Sequence, residues 1–317
     1  MAVYTAIDED QLGALLATFD LGEVLALKGI AEGVENSNYF LLTERGRYIL
    51  TIYEKRVDAA DLPFFLGLMD HLSGRGFVCP VPVKDRLGRT LHRLAGKPAA
   101  IVSFLDGQSP RALTPQRCRA LGRALAALHG AGAGFVPVRP NALSVAAWRP
   151  LFEQARRSGM EDGLEEEISA DLDHVERAWP EGLPAGVIHA DLFPDNAFFD
   201  HDEVSGVIDF YFACNDLLAY DLAICLNAWC FEASGEFNVT KSRALIEGYA
   251  AERRLEPAEV AALPVLARGA ALRFLLTRLY DWLNRVEGAL VSPKDPNEYL
   301  RKLRFHRAAG GPQAYGI

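Results

Sequence analysis

Residues 189–209 concentrate the groups that phosphoryl transfer needs. His189-Ala190-Asp191 is followed after a short loop by Asn196, and a strand-like run then ends in Ile208-Asp209-Phe210. Between the two runs lies the turn-rich stretch Asp200-His201-Asp202-Glu203. Folding the flanking runs, 186–199 and 204–210, across that turn sets Asn196 opposite Asp209 at the open end of a hairpin. An amide oxygen beside a carboxylate is a pair of hard ligands suited to Mg²⁺. Asp191 brings a second carboxylate to the same place, free to orient an attacking hydroxyl and accept its proton. A lone Asp at a strand end is usually a turn residue. The order and spacing of the whole set carry the reading.

A second group bears on a nucleotide. Gly33, Asn36, Ser37 and Asn38 lie between two strand-like runs, and small or amide residues let backbone N–H groups approach phosphates closely. No Gly-Lys-Ser/Thr occurs, which argues against a P-loop enzyme.

Elements must hold these side chains in place. Residues 8–20 read as an amphipathic helix capped by Asp8, with Leu12, Leu15, Leu16 and Phe19 at helical spacing. Tyr39–Thr43 and Tyr48–Tyr53 read as strands joined by a turn at Glu44-Arg45-Gly46-Arg47. Asp61–Leu72 reads as a helix, and Ala99–Leu105 as a buried strand ending at Asp106-Gly107. From there the pattern is mostly helical: Pro115–Gly130, Glu165–Trp179, Ala219–Phe231, Thr240–Ala251 and Pro257–Trp282, interrupted by the 186–210 island. The simplest organisation is α+β: a small β-rich N-terminal lobe over 1–105, a connector near 103–110, and a larger, mainly helical lobe over 106–317.

Composition sets limits. The chain has 317 residues, a net charge of -9 and 50% hydrophobic residues. An acidic chain is a poor non-specific nucleic-acid binder, because that binding depends on clustered Lys and Arg. The five cysteines show no Cys-x-x-Cys pair and read as free thiols of a reducing cytoplasm. No signal peptide or uncharged membrane-length run is visible, so a cytoplasmic location and no membrane partner are expected.

The sequence also resembles a known superfamily. His189-Ala190-Asp191-Leu192-Phe193-Pro194-Asp195-Asn196 and Tyr220-Asp221-Leu222-Ala223 resemble the aminoglycoside-phosphotransferase-like kinases. Within them, four stretches resemble the homoserine kinases: Lys28–Tyr39, Leu50–Arg56, Ile208–Asp216 and Leu272–Trp282. The resemblance covers nearly the whole chain. It implies a protein-kinase-like two-lobed fold, ATP and Mg²⁺ as cofactors, and transfer of the γ-phosphate to the side-chain hydroxyl of L-homoserine by a monomer or homodimer. A related kinase for an aminoglycoside, choline or methylthioribose is the alternative, and a non-catalytic ATP-binding scaffold is an alternative of another class.

The resemblance also implies residue roles. Asp191 is catalytic, and Asn196 and Asp209 bind metal. His189, Asp216 and Asp221 support the catalytic loop, and His129 is a buried structural residue. Gly33, Asn36, Ser37 and Asn38 cover the phosphates, and Ser103 and Leu105 meet adenine at the hinge. The kinase strand lysine is replaced by Thr51, and strand alternation makes Lys55 the substitute, with Asp58 or Asp61 as its acidic partner. Ala190 stands where protein kinases carry the Arg that answers a phosphorylated activation loop, which suits a small-molecule kinase. The acceptor's ammonium and carboxylate call for an acid and a base, for which Tyr211, Arg273, Arg278, Asp281 and Trp282 are candidates, with Asn227 and Trp229 near in sequence.

Overall fold

The computed structural model describes residues 5–30, 36–54, 58–284 and 293–317. The chain divides into two compact units, Met1–Asp106 with Phe135–Arg139, and Gly107–Gly134 with Pro140–Ile317.

The first unit opens with helix α1 (Glu9–Leu16), whose N-cap Asp8 accepts bonds from the N–H groups of Asp10 and Gln11. It packs Leu12, Leu15 and Leu16 against an antiparallel sheet. That sheet holds β1 (Val24–Gly29), β2 (Asn36–Thr43) and β3 (Gly46–Tyr53), then, after helix α2 (Leu62–Gly74), β4 (His92–Leu94) and β5 (Lys97–Ser103). Its strand order is β1-β2-β3-β5-β4. The β2–β3 turn closes with Thr43 opposite Gly46, as the sequence predicts. Leu41, Leu50, Ile52 and Ile101 form the core of the sheet. The segment 135–139 joins this unit by placing the Phe135 ring against Phe64 and His71.

The second unit is built from α3 (Pro115–Gly132), α4 (Val145–Arg157) and α5 (Asp162–Ala178), then the strands β6 (Ala185–Ile188), β7 (Ala197–Asp200), β8 (Glu203–Val207) and β9 (Cys214–Leu217), then α6 (Leu218–Trp229), α7 (Val239–Glu252), α8 (Pro257–Leu283) and α9 (Asn297–Ala308). Pro257 opens α8 at its first turn, where a missing N–H costs nothing, and Glu256 with Glu259 forms a capping box. By length and composition α8 is apolar enough to cross a membrane, but 61% of that stretch is buried in the fold. It also carries Arg268, Arg273 and Arg278.

The 186–210 island differs from the single hairpin that the sequence predicts. Only β7 and β8 pair across the Asp200–Glu203 turn, with Ala197 opposite Val207. β6 pairs instead with β9, Ile188 opposite Cys214. The pairing shifts by one residue from the expected one: Ile208 N–H donates to the Asn196 carbonyl at 3.0 Å, so Ile208 rather than Asp209 faces Asn196. Asp209 itself sits at φ 64°, a left-handed conformation that ends the ladder.

Candidate active site

The site starts where β6 ends. His189 and Ala190 leave the strand, and Ala190 adopts φ 62°. A non-glycine residue in that region persists only when its surroundings hold it. Two groups do so here. The Asp221 carboxylate, in the first turn of α6, accepts the His189 N–H at 2.7 Å and the Ala190 N–H at 2.9 Å. The Arg273 guanidinium, from α8, donates to the Ala190 carbonyl at 2.6 Å. Burial works against the Asp221 carboxylate, yet the bond from His129, the two imidazoles and the loop N–H hold it below the usual carboxylate range.

His189 is fully buried, and burial holds its imidazole below the usual range. Its Nε2 lies 2.9 Å from the Ile208 carbonyl, and its Nδ1 accepts the Asp191 N–H at 3.2 Å. A neutral ring with its proton on Nε2 satisfies both contacts. His189 thus ties the loop that carries Asp191 to the strand end that carries Asp209.

Asn196 ends a short 3₁₀ turn, Pro194–Asn196. Its amide nitrogen donates to the Asp191 carbonyl at 2.8 Å. The oxygen end of the amide is therefore the one left to ligate a cation. Asp209 follows Ile208, whose N–H is bonded to the Asn196 carbonyl, and the charge of Asp209 acts on Asp191. An amide oxygen and a carboxylate fit a hard, oxygen-preferring ion such as Mg²⁺. Burial pushes the Asp191 carboxyl up to about 8, against the pull of Arg273 and Lys294 and with help from Asp209 and Asp195. Several carboxylates crowded at one place are what a divalent cation relieves.

The other predicted residues divide. Asp216, on β9, accepts from Asn141 at 2.7 Å and from the Leu217 N–H, and these bonds lie away from the catalytic loop that Asp221 and Arg273 hold. Tyr211 sits half-buried in the 3₁₀ turn that follows Asp209. Arg273 is buried and packs against the Phe274 and Phe212 rings at 4.4 and 5.7 Å. Arg278 is bonded to Glu298 at 2.6 Å and to the Asp295 carbonyl at 3.1 Å. Asp281 and Trp282 are exposed in the last turn of α8. Asn227 spans the helices, donating to the Ala223 and Ala267 carbonyls, and Trp229 donates to the Leu192 carbonyl at 2.8 Å, so both serve the scaffold.

One residue that the sequence reading misses is Lys294. It is exposed, its ammonium lies 5.5 Å from the centre of the Phe193 ring, and its charge reaches Asp191. No motif marks it, since it stands in the stretch Ser292-Pro293-Lys294-Asp295-Pro296, far along the chain.

In the first unit, Asn36, Ser37 and Asn38 form the start of β2 rather than a free loop. The Ser37 hydroxyl donates to Glu54 at 2.8 Å, and Asn38 accepts from Thr51 at 2.8 Å. Thr51, at the expected lysine position, is thus a buried partner of the strand beside it. Asp61 is paired with Arg139 at 2.7 Å and Asp58 caps the Ala60 N–H, so each already has a partner other than a lysine. Lys97 pairs with Glu54. The Ser103 hydroxyl accepts the Val81 N–H at 2.9 Å, and Leu105 is half-buried. Gly33 and Lys55 lie outside the described residues.

Comparison with known proteins bears on the family and the fold. Residues 26–257 match the phosphotransferase enzyme family. A homoserine kinase of Rhizobium johnstonii is 60% identical over 319 residues, covering 100% of this chain and 99% of its own. One from Methylobacterium nodulans is 62% identical over 318 residues, with the same coverage. Among solved structures, an amicoumacin kinase bound to AMP-PNP, Ca²⁺ and its ligand superposes with a TM-score of 0.73 at 16% identity, over 96% of this chain and 95% of that one. A choline kinase of Cryptosporidium parvum gives 0.68 at 14% identity, over 95% of each chain. These two establish the kinase-like fold, with its β-sheet N-terminal region and helical C-terminal region. The chain belongs to the phosphotransferase enzyme family, alongside its homoserine kinases.

Proposed function

We infer that the chain catalyses ATP-dependent phosphorylation of the side-chain hydroxyl of L-homoserine, giving O-phospho-L-homoserine on the way to threonine. The observation that carries this is identity of 60–62% to homoserine kinases over the full length of the chain. The acceptor is a small molecule, and the acidic chain is read as a cytoplasmic enzyme.

The site supports a division of labour. Asn196 and Asp209 are proposed to hold Mg²⁺, which neutralises charge on the triphosphate when bound. Asp191 is proposed to hold the homoserine hydroxyl in line and take its proton late, since the transition state is loose and positioning matters more than activation. His189 and Asp221 are proposed to keep that loop in place. In the first unit, Gly33, Asn36, Ser37 and Asn38 are proposed to cover the phosphates, Lys55 to contact them, and Ser103 and Leu105 to meet the adenine.

Lys294 is proposed to meet the homoserine carboxylate. Arg273 and Arg278 are already committed to the Ala190 carbonyl and to Glu298. Lys294 is an exposed cation beside Phe193 that influences Asp191.

Replacement of one metal-site carboxylate tests the assignment. Asp209→Ala is expected to abolish homoserine-dependent ADP formation while the melting temperature stays within a few degrees. Undiminished turnover by the variant, or full wild-type activity in excess EDTA, would remove the metal site.

A further inference from the structure

The Asp221 clamp on the catalytic loop does not end at Asp221. Its Oδ2 lies 3.0 Å from His129 Nε2, on α3, with both side chains fully buried. His129 Nδ1 lies 2.7 Å from the Tyr249 hydroxyl, on α7. That hydroxyl accepts from Arg253 Nη1 at 3.2 Å. Arg253 stands just beyond the end of α7 and is partly open to solvent. Its guanidinium is anchored by Glu259, which is itself fixed by the capping box of α8.

The donors set a direction along this chain. Arg253 has no acceptor, so it must donate to the Tyr249 oxygen. The single phenolic hydrogen is then available for His129 Nδ1. A ring that accepts at Nδ1 carries its proton on Nε2 and donates it to Asp221. Asp221, acceptor-only, is left with both oxygens for the loop: Oδ2 receives the His189 N–H as well, and Oδ1 receives the Ala190 N–H. Each bond polarises the next in a buried, low-dielectric setting. Four elements, the starts of α8 and α6 and the α3 and α7 helices, thereby bear on the one residue, Ala190, that holds a left-handed backbone directly before Asp191.

We propose that Tyr249 and Arg253 are positioning residues for phosphoryl transfer, completing a one-way hydrogen-bond chain that fixes the His129 tautomer and, through Asp221, the backbone of the loop bearing Asp191. This rests on the reading of Asp191 as the group that orients the acceptor. Small misplacements of such a group cost large factors in rate, so the far end of the chain acts on kcat rather than on substrate affinity.

The test uses Tyr249→Phe, Arg253→Gln, the double variant and Arg253→Lys in the full-length enzyme. Measured are kcat, both KM values, the melting temperature, and the ring ¹⁵N signals of His129 in histidine-labelled protein. Each single variant is expected to lower kcat about threefold to tenfold with both KM values within about twofold. The double variant should match the worse single one, because the chain acts as a unit. Arg253→Lys, which keeps a cationic donor, should recover most of the loss. Wild-type His129 should show a protonated Nε2 and an accepting Nδ1, and Tyr249→Phe should move the Nδ1 signal. A kcat within about twofold of wild type in both single variants, whatever the melting temperature does, overturns the proposal. So do multiplicative losses in the double variant, or a wild-type ring protonated at both nitrogens. The spectroscopic arm needs no substrate, so it fails or succeeds independently of which acceptor the enzyme takes.

Discussion

Asp191 is the residue on which most of the chemistry converges. It is half-buried, its backbone N–H is held by His189 and its carbonyl by Asn196. Positioned general bases contribute ~10²–10⁴-fold. Asp191→Asn keeps a hydrogen-bonding oxygen but cannot take a proton, so kcat should fall by about that range while the Kd for MgATP stays within a few-fold. Loss of MgATP binding with an intact single-turnover rate would make Asp191 a metal ligand instead. Lys294→Ala should raise KM for homoserine roughly tenfold, the scale of one charge-assisted bond, and leave KM for ATP nearly unchanged. Steady-state kinetics in both substrates decide this, and an unchanged homoserine KM would return Lys294 to solvent. The set Asp191, Asn196 and Asp209 can be proposed from the sequence because its members are close along the chain and joined by one turn. The one-residue error in their pairing arose at the turn, where Asp200 pairs with Glu203 and the register shifts between Phe198 and Phe199, an irregularity that strand alternation does not anticipate. Lys294 was not legible, because its contact with Phe193 joins residues a hundred positions apart.

Elements set these residues in place, and the crossing of α3 and α7 is the tightest example. A Cβ on Gly122 would run into the Leu245 carbonyl, and one on Gly248 into the Arg119 carbonyl. The two backbones touch, which lets His129 of one helix meet Tyr249 of the other. Gly248→Ala must push the helices apart, and overpacking of this kind costs about 1–3 kcal/mol. Denaturant unfolding should show that loss, and an unchanged midpoint would mean the helices yield freely. The strongly periodic helices were legible. α4 was not, since Pro150 inside it argues against a helix. In α9 the apolar stripe Tyr299, Leu300, Leu303 and His306 is diluted by Arg301, Lys302, Arg304 and Arg307. β1 is exposed along most of its length and so shows no alternation. The β6–β9 pairing was hidden behind the nearer turn at Asp200–Glu203, which suggested a local partner for β6.

At the scale of the molecule, the strand-rich first third and helical remainder already pointed to a small β-rich lobe and a larger helical one, because a sheet and a helical body demand different hydrophobic periods, and the resemblance to the aminoglycoside-phosphotransferase-like kinases made that a kinase-like fold. The segment 135–139, which returns to the first unit, left no such mark. Fold alone does not choose the acceptor, as amicoumacin and choline kinases share it. The most direct test is therefore kcat/KM for Mg²⁺-dependent ADP formation across L-homoserine, L-serine, choline and an aminoglycoside. A site built to bond the ammonium, carboxylate and hydroxyl of one acceptor discriminates strongly against those lacking a group. L-homoserine should exceed choline and the aminoglycoside by roughly a hundredfold or more, and L-serine, which is one methylene shorter, by about tenfold or more. Equal or faster turnover of choline or the aminoglycoside, or none with homoserine, would contradict the account.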